Sequence, residues 1–169
     1  MEEFIMKNKF LYLIGFLIIF SFLLIACSTN SSSSKEYKTI ETDLYKLSIP
    51  TSIEAEKIAG SALLFRRAKK NIGGLDILGY NPDQPLSQLE PNHSKVLLSE
   101  KLQGFSYEVW QENLELTQPA ASGDKSIIAQ THIYFVFKDK KIAFDLYFYT
   151  KEIAENTLLD IAGSFKLKN

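Results

Sequence analysis

Cysteine and histidine are scarce in this sequence, and their scarcity excludes several classes of site. Cys27 is the only cysteine, so no intramolecular disulfide can form. The two histidines, His93 and His132, lie in none of the paired patterns that bind zinc. Phosphate-binding glycine loops, Gly-x-Ser-x-Gly turns and calcium-binding loops are also missing. We therefore expect no metal, no cofactor and no catalytic residue, and a fold stabilised by an ordinary hydrophobic core.

The charges of the chain are nearly balanced. Lysine and arginine number 19 against 20 aspartates and glutamates, which gives a net charge of −1. We expect no nucleic-acid partner, because such binding needs a basic excess. Two short basic clusters, Arg66–Lys70 and Lys138–Lys141, lie where turns are expected. They are either solvated turn charge or contacts for anionic lipid or wall polymer.

The N-terminal segment carries the most specific pattern. An apolar run over Phe10–Ile25 ends in Leu24-Ile25-Ala26-Cys27, and a serine-rich tract follows. This arrangement resembles a bacterial lipoprotein signal, in which a cysteine after a small residue receives a diacylglyceryl group. It predicts a signal peptide at residues 1–26 and a lipidated Cys27 in the mature protein. An uncleaved membrane anchor with a lone cysteine is the alternative, because the run is long for a signal peptide.

Lipidation at this position implies a location. We expect an extracytoplasmic protein held by its lipid in the outer face of the cytoplasmic membrane, in a Gram-positive bacterium. Residues 27–36 are then a serine-rich linker, and residues 37–169 fit a single globular domain. Met1 and Met6 are both candidate starts. Our hypothesis is Met6, since the acidic residues before it oppose the positive charge that precedes a signal's apolar core.

The domain sequence predicts short strands, a small helical interruption, longer strands and a terminal helix. Strands are expected at Tyr37–Ile40, Leu44–Ile49, Ala62–Arg67, Leu75–Tyr80, Val96–Leu102, Phe105–Leu116, Ile127–Phe137 and Ile142–Thr150. The glycines in Lys69–Gly74 predict a turn. A change of phase in the alternation predicts a β-bulge near Val109-Trp110. Leu86–Glu90 is expected to form a short helix.

The last hairpin and the terminal helix give the clearest core prediction. Alternate residues of the last strand are apolar, which indicates one buried face made of Ile142, Phe144, Leu146 and Phe148. A helix over Lys151–Phe165, with Thr150 as its N-cap, carries an apolar stripe and is expected to pack on that face. Gly163 is expected to weaken or end this helix.

Several stretches of the domain resemble the PsbP/Mog1-like proteins. They are DLYKLSIP at Asp43–Pro50, GGLDILGYNPDQPLSQL at Gly73–Leu89, IAFDLYFYT at Ile142–Thr150 and IAGSFKL at Ile161–Leu167. Thr51-Ser52-Ile53 stands where that family often has a Gly-Trp pair, which is a departure. The resemblance implies an α+β fold, in which helices cover an antiparallel β-sheet as an α/β/α sandwich. It also implies an accessory or binding role rather than an enzymatic one.

Three residues are candidates for contact with a ligand or partner: His93 in a turn, and the aromatic residues Tyr80 and Trp110. The alternatives are a hydrogen-bonded turn residue and ordinary sheet packing. His132 is expected to be a packed strand residue. We expect a non-enzymatic binding or accessory module for a protein or envelope partner. The alternatives are a carrier or sensor of a small amphiphile and a hydrolase built on His93 and Ser94.

Overall fold

This computed structural model describes residues 36–118, 123 and 126–168 of the chain. These residues contain ten β-strands and one α-helix. In chain order the elements are β1 Tyr37–Glu41, β2 Tyr45–Pro50, β3 Glu54–Lys57, β4 Leu63–Arg67, β5 Lys70–Gly79, β6 Ser94–Leu102, β7 Glu108–Thr117, β8 Ile127–Phe137, β9 Ile142–Tyr149, α1 Glu155–Gly163 and β10 Lys166–Leu167. Short 3₁₀ turns occupy Leu86–Leu89 and Lys138–Lys140. Cys27 and the predicted signal peptide lie outside the described residues.

The strands form two antiparallel sheets. A seven-stranded sheet has the order β3-β4-β5-β9-β8-β7-β6, and a three-stranded sheet has the order β1-β2-β10. The predicted α+β class with an antiparallel sheet is therefore confirmed. The predicted helical covering is only partly present. Among the described residues, the small sheet and the nine-residue α1 cover one face, and a mostly irregular segment crosses the other.

The main core lies between the seven-stranded sheet and the layer formed by β2 and α1. Its members are buried apolar side chains from both layers, among them Tyr45, Leu47, Ile49, Phe135, Phe144, Leu146, Phe148, Leu158, Ile161 and Phe165. Phe144 and Phe165 pack with ring centroids 5.1 Å apart. The predicted packing of the terminal helix on the face that presents Phe144 and Leu146 is confirmed.

The turn between β4 and β5 lies earlier than expected. Ala68 and Lys69 adopt positive φ angles of 50° and 66° and reverse the chain. Gly73 and Gly74 lie inside β5, so the prediction of a turn over Lys69–Gly74 is wrong in its extent. A Cβ atom on Gly73 would meet the Tyr147 carbonyl oxygen and lie 2.9 Å from the Phe148 Cα. These glycines therefore permit close approach of β5 to β9 rather than a reversal.

The β-bulge also lies elsewhere. β7 pairs with β8 without a register shift from Glu108 to Thr117, so the prediction of a bulge near Val109-Trp110 is wrong. The irregularity is on β6, between Val96 and Leu98. The change of phase in β7 has a different cause, because side chains on both of its faces are buried.

The terminal helix is shorter than predicted. It begins at Glu155 with Ala154 as N-cap, so Thr150 is not the cap and its N–H instead donates to the Ala129 carbonyl oxygen at 3.0 Å. It ends at Gly163, as expected, and the extended residues after it pair with β2 as β10. Among the described residues, no helix is long and apolar enough to cross a bilayer.

Residues 80–93 cross the second face of the large sheet. β5 ends opposite Ile142 at one end of the sheet, whereas β6 begins opposite Leu116 at the other. The 3₁₀ turn in this crossing segment brings Leu89 onto a second, smaller apolar cluster. That cluster also contains Tyr80, Tyr134, Val136 and Ala143. Both faces of the central strands are consequently buried.

Candidate functional site

A groove of about 900 Å³ lies at the end of the large sheet where β8 turns into β9. Three separate segments form it: the loop between β6 and β7, the turn at Lys138–Lys140, and the stretch that follows α1. Hydrogen-bonded strands and the end of α1 fix the ends of these segments. The groove is therefore a product of the tertiary fold.

Aromatic side chains line the groove. The Tyr107 ring lies 5.9 Å from that of Phe105 and 4.8 Å from that of Phe137, between ring centroids. The Tyr107 hydroxyl donates to the Phe165 carbonyl oxygen at 2.9 Å. Burial raises the pKa of Tyr107 to about 12, so this hydroxyl remains a donor at neutral pH. The aromatic lining is thus tied to the chain that leaves α1.

Charged side chains surround the aromatic lining. Lys138 Nζ lies 2.8 Å from Glu108 Oε2, and its hydrogen bond is the main cause of a lowered pKa at Glu108. Lys140 and Lys166 also border the groove, and neither forms an ion pair within residues 36–118, 123 and 126–168. The groove thus has three lysines and two carboxylates, those of Glu108 and Asp139. The rim therefore carries a small positive excess.

A second group of polar residues lies buried beneath the crossing segment. His132 Nδ1 lies 2.9 and 3.0 Å from the two carboxylate oxygens of Asp145, and its Nε2 lies 2.9 Å from Gln130 Oε1. The His132 ring stacks on Tyr147 with centroids 5.4 Å apart. Both ring nitrogens are engaged and the side chain is 2% exposed, which leaves no nitrogen to act on a substrate. The prediction that His132 is a packed strand residue is confirmed.

The three residues singled out from the sequence do not meet in one place. His93 is an exposed turn residue with φ of 64°, and its carbonyl oxygen accepts from the Thr117 N–H at 3.1 Å. Tyr80 and Trp110 pack in the second apolar cluster. Trp110 is linked to the groove through Glu108, a lining residue, because the Trp110 Nε1–H donates to Glu108 Oε1 at 2.8 Å. None of the three is a lining residue of the groove, and their roles as contacts stay predictions.

The sequence offers, as one alternative, a hydrolase built on His93 and Ser94. The described residues do not form such a catalytic site. The buried carboxylate of Asp145, on β9, is hydrogen-bonded to His132. Ser94 begins β6, and its N–H donates to the Pro91 carbonyl oxygen at 3.3 Å. The backbone carbonyl oxygen of His93 accepts from the Thr117 N–H at the end of β7.

The two basic clusters differ in how they are used. Arg66 pairs with Glu56, and Arg67 donates to the Glu152 carbonyl oxygen at 2.8 Å, so both arginines of the first cluster have partners within the domain. The second cluster contributes Lys138 and Lys140 to the groove. Its basic sequence was a signal for this site. The aromatic lining gave no such signal, because Phe105 and Phe165 are far apart in the chain.

Comparison with other proteins informs the fold. The sequence matches no family model and no curated protein. The Ran-binding protein Mog1p of Saccharomyces cerevisiae has a similar structure, with a TM-score of 0.54 and 10% identity, over 79% of this chain and 96% of Mog1p. The domain has a Mog1-like fold. The solution structure of cyanobacterial PsbP from Synechocystis aligns with a TM-score of 0.49 and 11% identity, over 83% of this chain and 98% of that protein.

The shared fold does not show what the groove binds, so its function is inferred from the chemistry of its own residues. At 10% identity, the likeness between this chain and Mog1p concerns the path of the backbone. The groove of this Mog1-like domain joins aromatic surface to lysines that lack an ion pair in the described residues. Such a surface can bury an apolar group and attract an anion at once.

Proposed function

We propose that the protein is a lipid-anchored, non-enzymatic binding module whose groove holds an acidic segment of a protein partner outside the cytoplasmic membrane. The groove is the observation that carries this function. Its aromatic lining offers Phe105, Tyr107 and Phe137 to an inserted apolar side chain. Buried aromatic contacts supply most of the energy at the centre of protein interfaces.

The lysines of the rim set the charge of the partner. Lys140 and Lys166 are exposed and lack ion pairs in the described part of the chain, so both are available to carboxylates. Charges at an interface rim raise the rate of association and select partners more than they add affinity. An acidic segment with one aromatic or branched apolar residue is therefore the expected occupant.

The lipoprotein signal supports the location of this module. Cys27 and the apolar run before it predict lipidation and export, and the serine-rich linker joins the lipid to the domain. A diacylglyceryl group carries two chains, which is enough for stable anchoring. The partner is then another protein of the membrane or the cell envelope.

Photo-crosslinking in intact membranes tests the groove. A photoreactive amino acid at Lys140 is expected to yield a discrete crosslinked protein, whereas the same group at exposed Lys57 on β3 is the matched control. Lys140→Glu combined with Lys166→Glu is expected to reduce complex formation by roughly tenfold. Equal crosslinking from both positions contradicts the proposal. Crosslinks to lipid alone favour the alternative, a carrier of an anionic amphiphile.

A further inference from the structure

The two edges of the seven-stranded sheet differ in their protection. At one edge, β3 has four residues, of which Glu54, Glu56 and Lys57 are charged. At the other, β6 has nine residues and exposes Leu97 at 54% and Leu98 at 45%. In residues 36–118, 123 and 126–168, no strand pairs with the outer side of β6. Short charged edges resist pairing with another strand, and long edges with exposed apolar residues invite it.

We propose that β6 pairs edge to edge with β6 of a second copy of this chain, in an antiparallel arrangement that joins the two sheets. The strand is complementary to itself in one register. That register places Leu97 opposite Leu98 of the second copy and Val96 opposite Ser99. It also places Lys95 opposite Glu100, so two ion pairs flank a central apolar contact.

The bulge on β6 makes this register geometrically consistent. Facing residues of an antiparallel pair must point to the same side of the sheet. Lys95 and Glu100 are five positions apart, and in a regular strand they would point to opposite sides. Across β7, however, Lys95 lies opposite Glu115 and Glu100 opposite Gln111, positions that share a side. The extra residue of the bulge shifts the phase, and in a symmetric pair each strand contributes the same extra residue.

The charges that this pairing needs are accessible. Lys95 Nζ lies 3.9 Å from Glu115 Oε2, a long contact with the lysine 74% exposed. Exposed pairs of this kind contribute little to stability, so Lys95 can turn to another carboxylate. Glu100 is exposed and forms no ion pair within the described residues. The neighbouring Lys101 points to the other side, where it lies over the Trp110 ring.

Charge exchange between two differently tagged copies tests the pairing. The full chains are co-expressed, extracted from membranes in mild detergent, and assayed for co-purification of one tag with the other. Lys95→Glu alone places two glutamates face to face, and Glu100→Lys alone places two lysines face to face. Each variant is expected to lower self-association by roughly tenfold.

Mixing the two variants gives the decisive result. A Lys95→Glu chain and a Glu100→Lys chain are complementary at both contacts, so their mixed pair is expected to recover wild-type co-purification. Recovery also shows that both variants fold. Leu97→Lys is expected to abolish the pairing, whereas Ile58→Lys is the matched control, because Ile58 is an apolar residue of similar exposure, 47% against 54%. Absence of wild-type self-association, or failure of the mixture to recover it, overturns the proposal.

Discussion

At the scale of single residues, Phe144 contacts side chains from both layers of the domain. Its ring lies 5.4 Å from that of Tyr45 on β2, 5.1 Å from that of Phe165 and 5.9 Å from that of Phe137, between centroids. It is fully buried. Because neighbours from both layers and from the end of the helix surround the ring, its removal leaves a cavity that no single movement can fill.

Phe144→Ala is therefore expected to lower the free energy of unfolding by about 3–5 kcal/mol, out of a total of about 5–15 for a typical domain. His93→Ala, at an exposed turn residue, is expected to cost less than about 1 kcal/mol. Urea midpoints of the two variants measure the difference. A wild-type midpoint for Phe144→Ala contradicts the assignment of the core.

Asp76 offers a prediction about pH. It faces Asp145 directly across β5 and β9. Burial, and then the charge of Asp145, raise the pKa of Asp76 above its ordinary value of 3.8, while His132 opposes this shift. A raised pKa means that the folded state binds the proton more tightly than the unfolded state. The contribution of Asp76 to stability is thus present below about pH 4 and lost as pH rises through the raised pKa.

Asp76→Asn removes the charge, so we expect this variant to exceed the wild-type free energy of unfolding near pH 7 by about 0.2–1 kcal/mol. The advantage is expected to vanish as pH falls below about 4. Asp83→Asn, in an exposed loop, serves as control. Denaturation curves at several pH values give the measurement, and a pH-independent difference contradicts the account.

The burial and packing of some residues can be predicted from the sequence, whereas those of others cannot. The regular period of two in β9 predicts correctly that Phe144 and Leu146 belong to the core. The sequence around Gly73 predicts a turn, whereas in the structure Gly73 lies in β5 where β9 approaches closely. Glycine serves both purposes, and the backbone that decides between them belongs to a strand about 70 residues later.

At the scale of elements, the end of α1 is joined to β2 by one side chain. Ser164 Oγ accepts from the Ser48 N–H at 2.8 Å and lies 2.6 Å from the Ile161 carbonyl oxygen, to which it can donate. This contact extends the short pairing between β10 and β2. Without the hydroxyl, the Ser48 N–H would face the end of the helix with no acceptor.

Ser164→Ala is expected to cost about 1–2 kcal/mol, because an unpaired, partly buried backbone donor is left behind. Ser87→Ala, on the exposed side of the crossing segment, is expected to cost less than about 0.5 kcal/mol. Hydrogen exchange is the sharper measurement. Exchange at the Ser48 amide is expected to accelerate in Ser164→Ala more than in Ser87→Ala, and equal rates contradict the proposed link.

Elements differ in how far their own sequence determines them. The β8–β9 hairpin follows from two regular strands and the turn between them, and Gly163 marks the end of α1. The alternation in β7 predicts a bulge that the strand does not have, because residues 80–93 cover its second face and apolar residues occur on both faces. No local pattern shows where a crossing segment will lie. The sequence does not predict the groove for the same reason, since its parts come from three distant segments.

At the scale of the whole molecule, the proposed contacts use different parts of the domain. The groove is formed at the end of the sheet by loops and by the residues after α1, whereas the self-pairing surface is the outer edge of β6. A second copy on β6 would therefore leave the groove residues Lys140 and Lys166 to another protein. Two tethered copies would present two grooves, which raises the effective affinity for a partner with two acidic segments.

Cys27 is predicted to decide where such an assembly works. Cys27→Ser removes the thiol that would carry the lipid, so we expect an unprocessed precursor that retains the apolar run Phe10–Ile25. Ser28→Ala, at the next residue, leaves the thiol in place and is expected to be processed as wild type. Intact-mass analysis of membrane-extracted protein measures both outcomes. A wild-type protein that begins at a diacylglyceryl-modified Cys27 supports the tether, because two acyl chains suffice for stable anchoring. An unmodified Cys27 in a chain that still carries Phe10–Ile25 shows instead that the apolar run itself is the anchor.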